Sequence, residues 1–170
     1  MPHEIASVPP EAHDRYAIVV AQWNRGVTAK LLDGASQTLR EAGIPDAAIE
    51  VAWVPGSWEL PLVARRLARR GDFAAILCLG AVVRGETTHD QHINRAVSLM
   101  LAQIGLECDL PVLFGVLTCE TMEQAANRAG GNVGNKGSEC ADAALQMVGL
   151  LKSIPSASRQ SGFAADGNCL

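Results

Sequence analysis

Apolar residues fall in two rhythms along this chain. Tyr16-Ala-Ile-Val-Val-Ala-Gln22 is a short continuous apolar run, as expected of a strand buried on both faces. From 26 to 42 the rhythm turns helical, with Val27, Leu31, Leu32, Ala35 and Leu39 on one stripe. Gly43 closes that helix and Pro45 prevents its resumption. Ile49-Glu-Val-Ala-Trp-Val54 reads as a second strand, followed by a Pro-Gly turn and a helix over 58–70 that stops at Gly71. A third strand, 73–79, runs on into Gly80-Ala-Val-Val83. Beyond a polar loop, Ile93, Val97, Leu101 and Ile104 recur at helical spacing and predict a helix over 89–106. The fourth strand is 112–117. Thr121 and Gln124 suit a capping box heading a helix to 129. A Gly/Asn loop fills 130–137, and a last helix ends near 152.

The order β-α-β-α-β-α-β-α-α follows. Strands separated by helices pair in parallel through right-handed crossovers. The economical architecture is an α/β three-layer sandwich of the flavodoxin-like kind, a four-stranded parallel sheet flanked by helices. It occupies residues 15–153. Residues 1–14, with three prolines, and residues 154–170, rich in small and polar side chains, lack the apolar content to pack alone. The latter is expected to be a flexible tail.

One domain also suits a length of 170 residues. A composition 48% apolar and 19% charged can bury a sizeable core and excludes wholesale disorder. Fourteen basic against 18 acidic residues, a net charge of −4, argues against nucleic acid, which selects a basic face. The densest basic run, Arg65-Arg66-Leu-Ala-Arg69-Arg70, lies near a helix end, where cations suit the macrodipole. No stretch reaches the roughly eighteen apolar residues of a membrane span. The first ten residues lack the basic-then-apolar pattern of a secretory signal. Cys78, Cys108, Cys119, Cys140 and Cys169 are odd in number and scattered, so reduced thiols in a cytoplasmic protein are the simplest account.

In a parallel sheet, ligands bind beyond the carboxyl ends of the strands. That directs attention to 22–26, 54–59, 80–89 and 114–121. Trp23-Asn24-Arg25-Gly26 sets a flat π surface beside hydrogen-bonding groups. Gly56-Ser57-Trp58-Glu59 sets a hydroxyl and a carboxylate at a helix start, where the carboxylate either meets a ligand or complements the helix N-terminus. In the segment from Gly80 to His89, helix N–H groups with Thr87 and Thr88 form an anion cradle, or else the loop is a polar crossover with a histidine cap. GxGxxG, GxxxxGK[ST] and Gly-x-Ser-x-Gly are all absent, so dinucleotide, P-loop and common hydrolase readings fall away. His89 and His92 share a helix face, but no further ligands cluster with them and no metal is expected. Arg128 and Lys136 flank a Gly-rich loop. They either clamp a phosphate, Arg128 by its bidentate fork, or are a helix-end cation and a loop residue.

Six segments, in order, resemble the lumazine synthase family over residues 15–152. They are Trp23-Asn24, Pro55-Gly-Ser-Trp-Glu59, Gly80-Ala-Val-Val-Arg-Gly-Glu-Thr-Thr-His89, Phe114-Gly-Val-Leu-Thr118, Glu123-Gln-Ala…Arg128-Ala-Gly130 and Gly134-Asn-Lys-Gly137. Any one is weak; six at matching intervals are specific. The resemblance implies condensation of 5-amino-6-(D-ribitylamino)uracil with 3,4-dihydroxy-2-butanone 4-phosphate. The reaction releases phosphate and water and yields 6,7-dimethyl-8-ribityllumazine, the penultimate step of riboflavin biosynthesis, with no metal or organic cofactor.

Carried onto this chain, the resemblance implies that Trp23 stacks on the pyrimidine ring and that Ser57 and Glu59 hold the ribityl hydroxyls. Asn24, Trp58 and the backbone of Ala81, Val82 and Val83 complete that pocket. Glu86 and Thr87 would meet the butanone phosphate, with Arg128 and Lys136 on its phosphate group. Phe114 would come from a neighbouring subunit. His89 corresponds to the proton-transfer residue, and a histidine suits chemistry in which imine formation, phosphate loss and ring closure each move protons. Arg128 would stabilise charge on the departing phosphate, and holding two reactants together would supply much of the rest. Two departures stand out: Asp90-Gln91-His92 where many relatives carry an aromatic, and Trp23 where phenylalanine is frequent.

The family forms pentamers, some closing into hollow sixty-subunit shells, and riboflavin synthase is a partner. The short turn from Arg128 to Lys136 resembles the shell-forming members. Residues 1–14 are expected to pack on a neighbouring subunit, covering an open sheet edge. The alternatives are an archaeal-type riboflavin synthase, a catalytically idle shell or flavin-binding protein, and a flavodoxin-like electron carrier. Retention of Glu59, His89 and Arg128 weighs against the idle protein. Gln22-Trp-Asn-Arg-Gly26, in place of a hydroxyl-rich phosphate loop, weighs against the carrier.

Overall fold

A computed structural model describes residues 1–154, so the expected tail beyond Ile154, with Cys169, lies outside the described residues. The elements run β1 (Tyr16–Ala21), α1 (Arg25–Glu41), β2 (Ile49–Val54), α2 (Leu60–Ala68), β3 (Ala75–Val83), α3 (His89–Cys108), β4 (Val112–Cys119), α4 (Met122–Asn127), β5 (Ala129–Gly131), β6 (Gly134–Asn135) and α5 (Lys136–Ser153). The first four strands form one parallel sheet in the order β2-β1-β3-β4. This is the α/β sandwich that the alternating rhythm predicts.

Side-chain alternation along β1 sets the layers. Tyr16, Ile18 and Val20 join Leu77 and Leu79 of β3 on one face and pack under α1 and α5, against Leu31, Leu39, Ala144 and Val148. Ala17 and Val19 join Ile76 and Cys78 on the other face, under α2 and α3, against Leu60, Ala64, Val97 and Leu101. Every residue of β1 is fully buried. Each large side chain in these clusters is worth about 1.5–3 kcal/mol against exposure. The four described cysteines, Cys78, Cys108, Cys119 and Cys140, are free thiols.

Three local readings need correction. The helix expected over 58–70 is a 3-10 turn, Ser57–Glu59, followed by the nine residues of α2, because Pro61 suits only a first helical turn. The helix expected to reach 129 stops at Asn127, and the expected loop at 130–137 is a hairpin of β5 and β6 closed by Gly130 (φ 97°) and Gly134 (φ 89°). The third strand starts at Ala75 rather than at 73, and runs on to Val83 as the apolar run predicts.

Residues 6–14 lie along α5 of the same chain. The Val8 N–H donates to Gly149 O (3.3 Å), Ser153 Oγ donates to Ala6 O (2.7 Å), and Lys152 Nζ reaches Asp14 (2.7 Å) and Glu11 (2.6 Å). A Cβ on Gly149 would collide with Val8 O, so only glycine admits this close approach.

Candidate active site

Chain direction across the sheet reverses at β1: the next strand, β2, lies to one side of it and β3 to the other. Such a switch point opens a crevice beyond the strand ends. Here it is a cleft of about 320 Å³, floored by Ala81, Val82 and Val83 at the end of β3. Trp23 and Asn24 from the β1–α1 turn form one wall. Pro55, Gly56, Ser57 and Trp58 from the β2–α2 turn form another, and His89 and Ile93 from the first turns of α3 close it.

Local chemistry explains how each side chain gets there. Asn24 adopts the left-handed conformation (φ 60°) that asparagine tolerates, and its Nδ2 donates to Ala81 O at 2.9 Å, tying the β1–α1 turn to the cleft floor. This presents Trp23, 73% exposed, at the cleft mouth. Ser57 is buried because Gly80 beside it lacks a side chain: a Cβ there would lie 2.5 Å from Ser57 Oγ. His89 opens α3, and its Nδ1 sits 2.7 Å from Thr87 Oγ1, which orients the ring and leaves Nε2 without a partner among the described residues. Glu59 does not line the cleft itself but sits against Gly56, which does. Its Oε2 accepts the Gly56 N–H at 2.9 Å, closing the helix start in the way the capping alternative anticipates.

Arg128 and Lys136 stand elsewhere, beside a second cavity of about 420 Å³ that shares no lining residue with the first. The β5–β6 hairpin brings them together: the Lys136 N–H donates to Arg128 O at 2.8 Å. Asn135 caps α5, its Oδ1 accepting from the Gly137 and Ser138 N–H groups (2.8 and 3.3 Å) while Nδ2 donates to Lys30 O of α1 (2.9 Å). Gln124 and Asn127 of α4 and Thr118 of β4 line the same cavity.

Of the residues singled out from sequence, the fold therefore gathers Trp23, Asn24, Ser57, Trp58, Ala81, Val82, Val83 and His89 into one cleft. Glu86 and Thr87 lie in the exposed loop before α3. Phe114 lines neither cavity; it is the third residue of the edge strand β4, opposite Cys78 and 38% exposed. Sequence reasoning missed Ile93, although its spacing four residues after His89 places it on the same helix face. It also missed Glu139, one helical turn after Lys136. Among the described residues, the His/Cys/Asp/Glu grouping tight enough to share a metal ion is Glu11, His13 and Asp14, far in sequence from His89 and His92 and engaged by Lys152.

A parallel sheet with an aromatic and histidine-lined cleft at its switch point defines an α/β enzyme acting on small molecules. The family model for 6,7-dimethyl-8-ribityllumazine synthase matches residues 13–152. The chain is 50% identical over 144 residues to the 6,7-dimethyl-8-ribityllumazine synthase of Coxiella burnetii, covering 85% of this chain and 95% of that one. It is 50% identical over 140 residues to the enzyme of the same name from Pediococcus pentosaceus, covering 82% and 90%. The chain belongs to the 6,7-dimethyl-8-ribityllumazine synthase family and is a transferase of riboflavin biosynthesis. Among the described residues no helix is long and apolar enough to cross a membrane.

Proposed function

We propose that this chain condenses 5-amino-6-(D-ribitylamino)uracil with 3,4-dihydroxy-2-butanone 4-phosphate, without metal or organic cofactor, at a site assembled from two subunits. The observation that carries this reading is the separation of its parts. Among the described residues, the cleft holding Trp23, Ser57 and His89 is lined by no lysine or arginine, and the cavity holding Arg128 and Lys136 by no aromatic. A phosphorylated ketone and a heteroaromatic amine need both. In the proposed site Trp23 stacks on the pyrimidine, while Ser57, Trp58, Asn24, Glu59 and the Ala81–Val83 backbone hold ring and ribityl chain. His89 Nε2 exchanges protons. Arg128 and Lys136 take the phosphate, with Glu86 and Thr87 beside it, and the neighbour's copy of Phe114 covers the ring. Thr87 holds the imidazole by Nδ1, so the free nitrogen is available for proton transfer.

The same reading makes the protein a cytoplasmic pentamer able to close into a sixty-subunit shell and to meet riboflavin synthase. Residues 15–153 form the catalytic domain, and the segment 1–14, tied at 6–14 to α5 of its own chain, extends from there onto a neighbour. Mixing the purified protein with both substrates and following lumazine formation tests the proposal, with Arg128→Ala as control. Loss of a charge-assisted phosphate contact costs about 1.5–3 kcal/mol, or roughly ten- to hundredfold in kcat/KM for the butanone phosphate. Riboflavin as product would support the archaeal-type alternative. No product from well-folded oligomer would support the idle scaffold.

A further inference from the structure

Glu139 sits in the first turn of α5, behind the two cations of the second cavity. Its Oε2 accepts from Lys136 Nζ at 3.2 Å and lies 3.6 Å from Arg128 Nη2, so one carboxylate oxygen faces both. Glu139 does not itself line the cavity. Among the described residues only one guanidinium nitrogen of Arg128, Nη2, faces a side-chain partner, which leaves the others for a ligand. We infer that Glu139 is a positioning residue that acts as an electrostatic counterweight: it draws Arg128 and Lys136 together and lowers the pair's net charge from +2 to +1. The inference rests on the phosphate-binding role proposed above for these two cations.

The chemistry of that role calls for such a device. Phosphate is both the handle by which one substrate is held and a product that must leave. Two uncompensated cations on a partly enclosed dianion favour the bound state strongly. A carboxylate held against both keeps them convergent while offsetting part of their attraction for phosphate. An acid in a first helical turn with an i,i+3 partner is also an ordinary stabilising feature. That simpler account predicts unchanged or weaker phosphate binding when the charge is removed; the counterweight predicts the reverse.

The test is calorimetric titration of the assembled protein with inorganic phosphate at low, fixed ionic strength, using wild type, Glu139→Gln, Glu139→Asp and Arg128→Met. Glu139→Gln is expected to bind phosphate about five- to tenfold more tightly, with the gap narrowing as salt is added. Glu139→Asp, which keeps the charge, is expected to stay nearer to wild type. In turnover, Glu139→Gln is expected to be inhibited by phosphate at correspondingly lower concentrations. Equal or weaker binding by Glu139→Gln, in a protein where Arg128→Met abolishes binding, overturns the counterweight and leaves the phosphate site standing. Wild-type affinity in Arg128→Met, or no binding by wild type and Glu139→Gln alike, removes the phosphate site and this inference together.

Discussion

Asn135 is the joint on which the cavity of Arg128 and Lys136 hangs, and its truncation has a calculable cost. Its Oδ1 satisfies two N–H groups at the start of α5, and its Nδ2 ties that helix to Lys30 O on α1. It also packs on Gly34, where a Cβ would lie 2.5 Å from its amide. Loss of an N-cap side chain costs about 1 kcal/mol. The tie to an exposed carbonyl adds about 0.5–1 kcal/mol, since water can replace the lost donor. Asn135→Ala should therefore cost about 1.5–2 kcal/mol, or about 3–8 °C in Tm for a domain of this size. Asn135→Ser keeps a capping oxygen but cannot reach Lys30, so it should lose about half as much. Thermal unfolding followed by circular dichroism checks the ordering, at one subunit concentration because the proposed assembly would shift Tm. Equal losses for Ser and Ala, or less than about 0.5 kcal/mol for Ala, would refute the two-part account.

Two further outcomes are expected. His89→Ala should lower kcat by about a hundredfold or more, as loss of a proton-transfer group does, yet leave measurable turnover, because bringing two reactants together survives it; full turnover with an unaltered pH profile would remove His89 from the chemistry. Lys152→Met should loosen residues 6–14, with a pH signature. The hydrogen bond from Lys152 holds the Glu11 carboxyl below its ordinary value of 4.5. Burial alone would lower Lys152, but its hydrogen bonds to Asp14 and Glu11 outweigh that and raise it above 10.5. A depressed carboxyl stabilises above its unfolded value and stops doing so as pH falls through the folded one; a raised amine stabilises until pH climbs past it. The Tm gap between wild type and variant should thus be fullest from about pH 4.5 to 10.5 and shrink on acidification. A gap that persists undiminished to pH 2 would contradict it.

Most of the layering was legible because buried parallel strands write themselves as unbroken apolar runs. Tyr16 to Ala21 could be little else, and the stripe of Val27, Leu31, Ala35 and Leu39 could only be a helix against it. Gly80 illustrates what was not legible. The apolar run carries the strand through it to Val83, but nothing local says why a glycine stands there: it makes room for Ser57 arriving from the turn after β2. That requirement comes from a residue more than twenty positions away, and no local pattern carries it. The hairpin of β5 and β6 was likewise hidden, since three residues and two residues of strand are too few for alternation to show.

For the candidate site, motif order named candidate residues but not their geometry. Glu59 and His89 both open helices; the same sequence signal led to a carboxylate folded back on its own turn and an imidazole facing a cleft. The difference lies in reach. A glutamate three residues after the cap closes on the Gly56 N–H, whereas the Nδ1 of His89 is taken by Thr87 only two residues earlier, which aims the ring outward. Gly134-Asn-Lys-Gly137 divides the same way. Asn135 caps and ties, and Gly137 has no side chain because a Cβ would overlap Leu31 O, so of its residues only Lys136 presents a side chain to the cavity. A motif from which one ligand contact was read is otherwise scaffold. That scaffold is what a charged clamp at a helix start requires, since a single lysine is placed only as well as the turn beneath it.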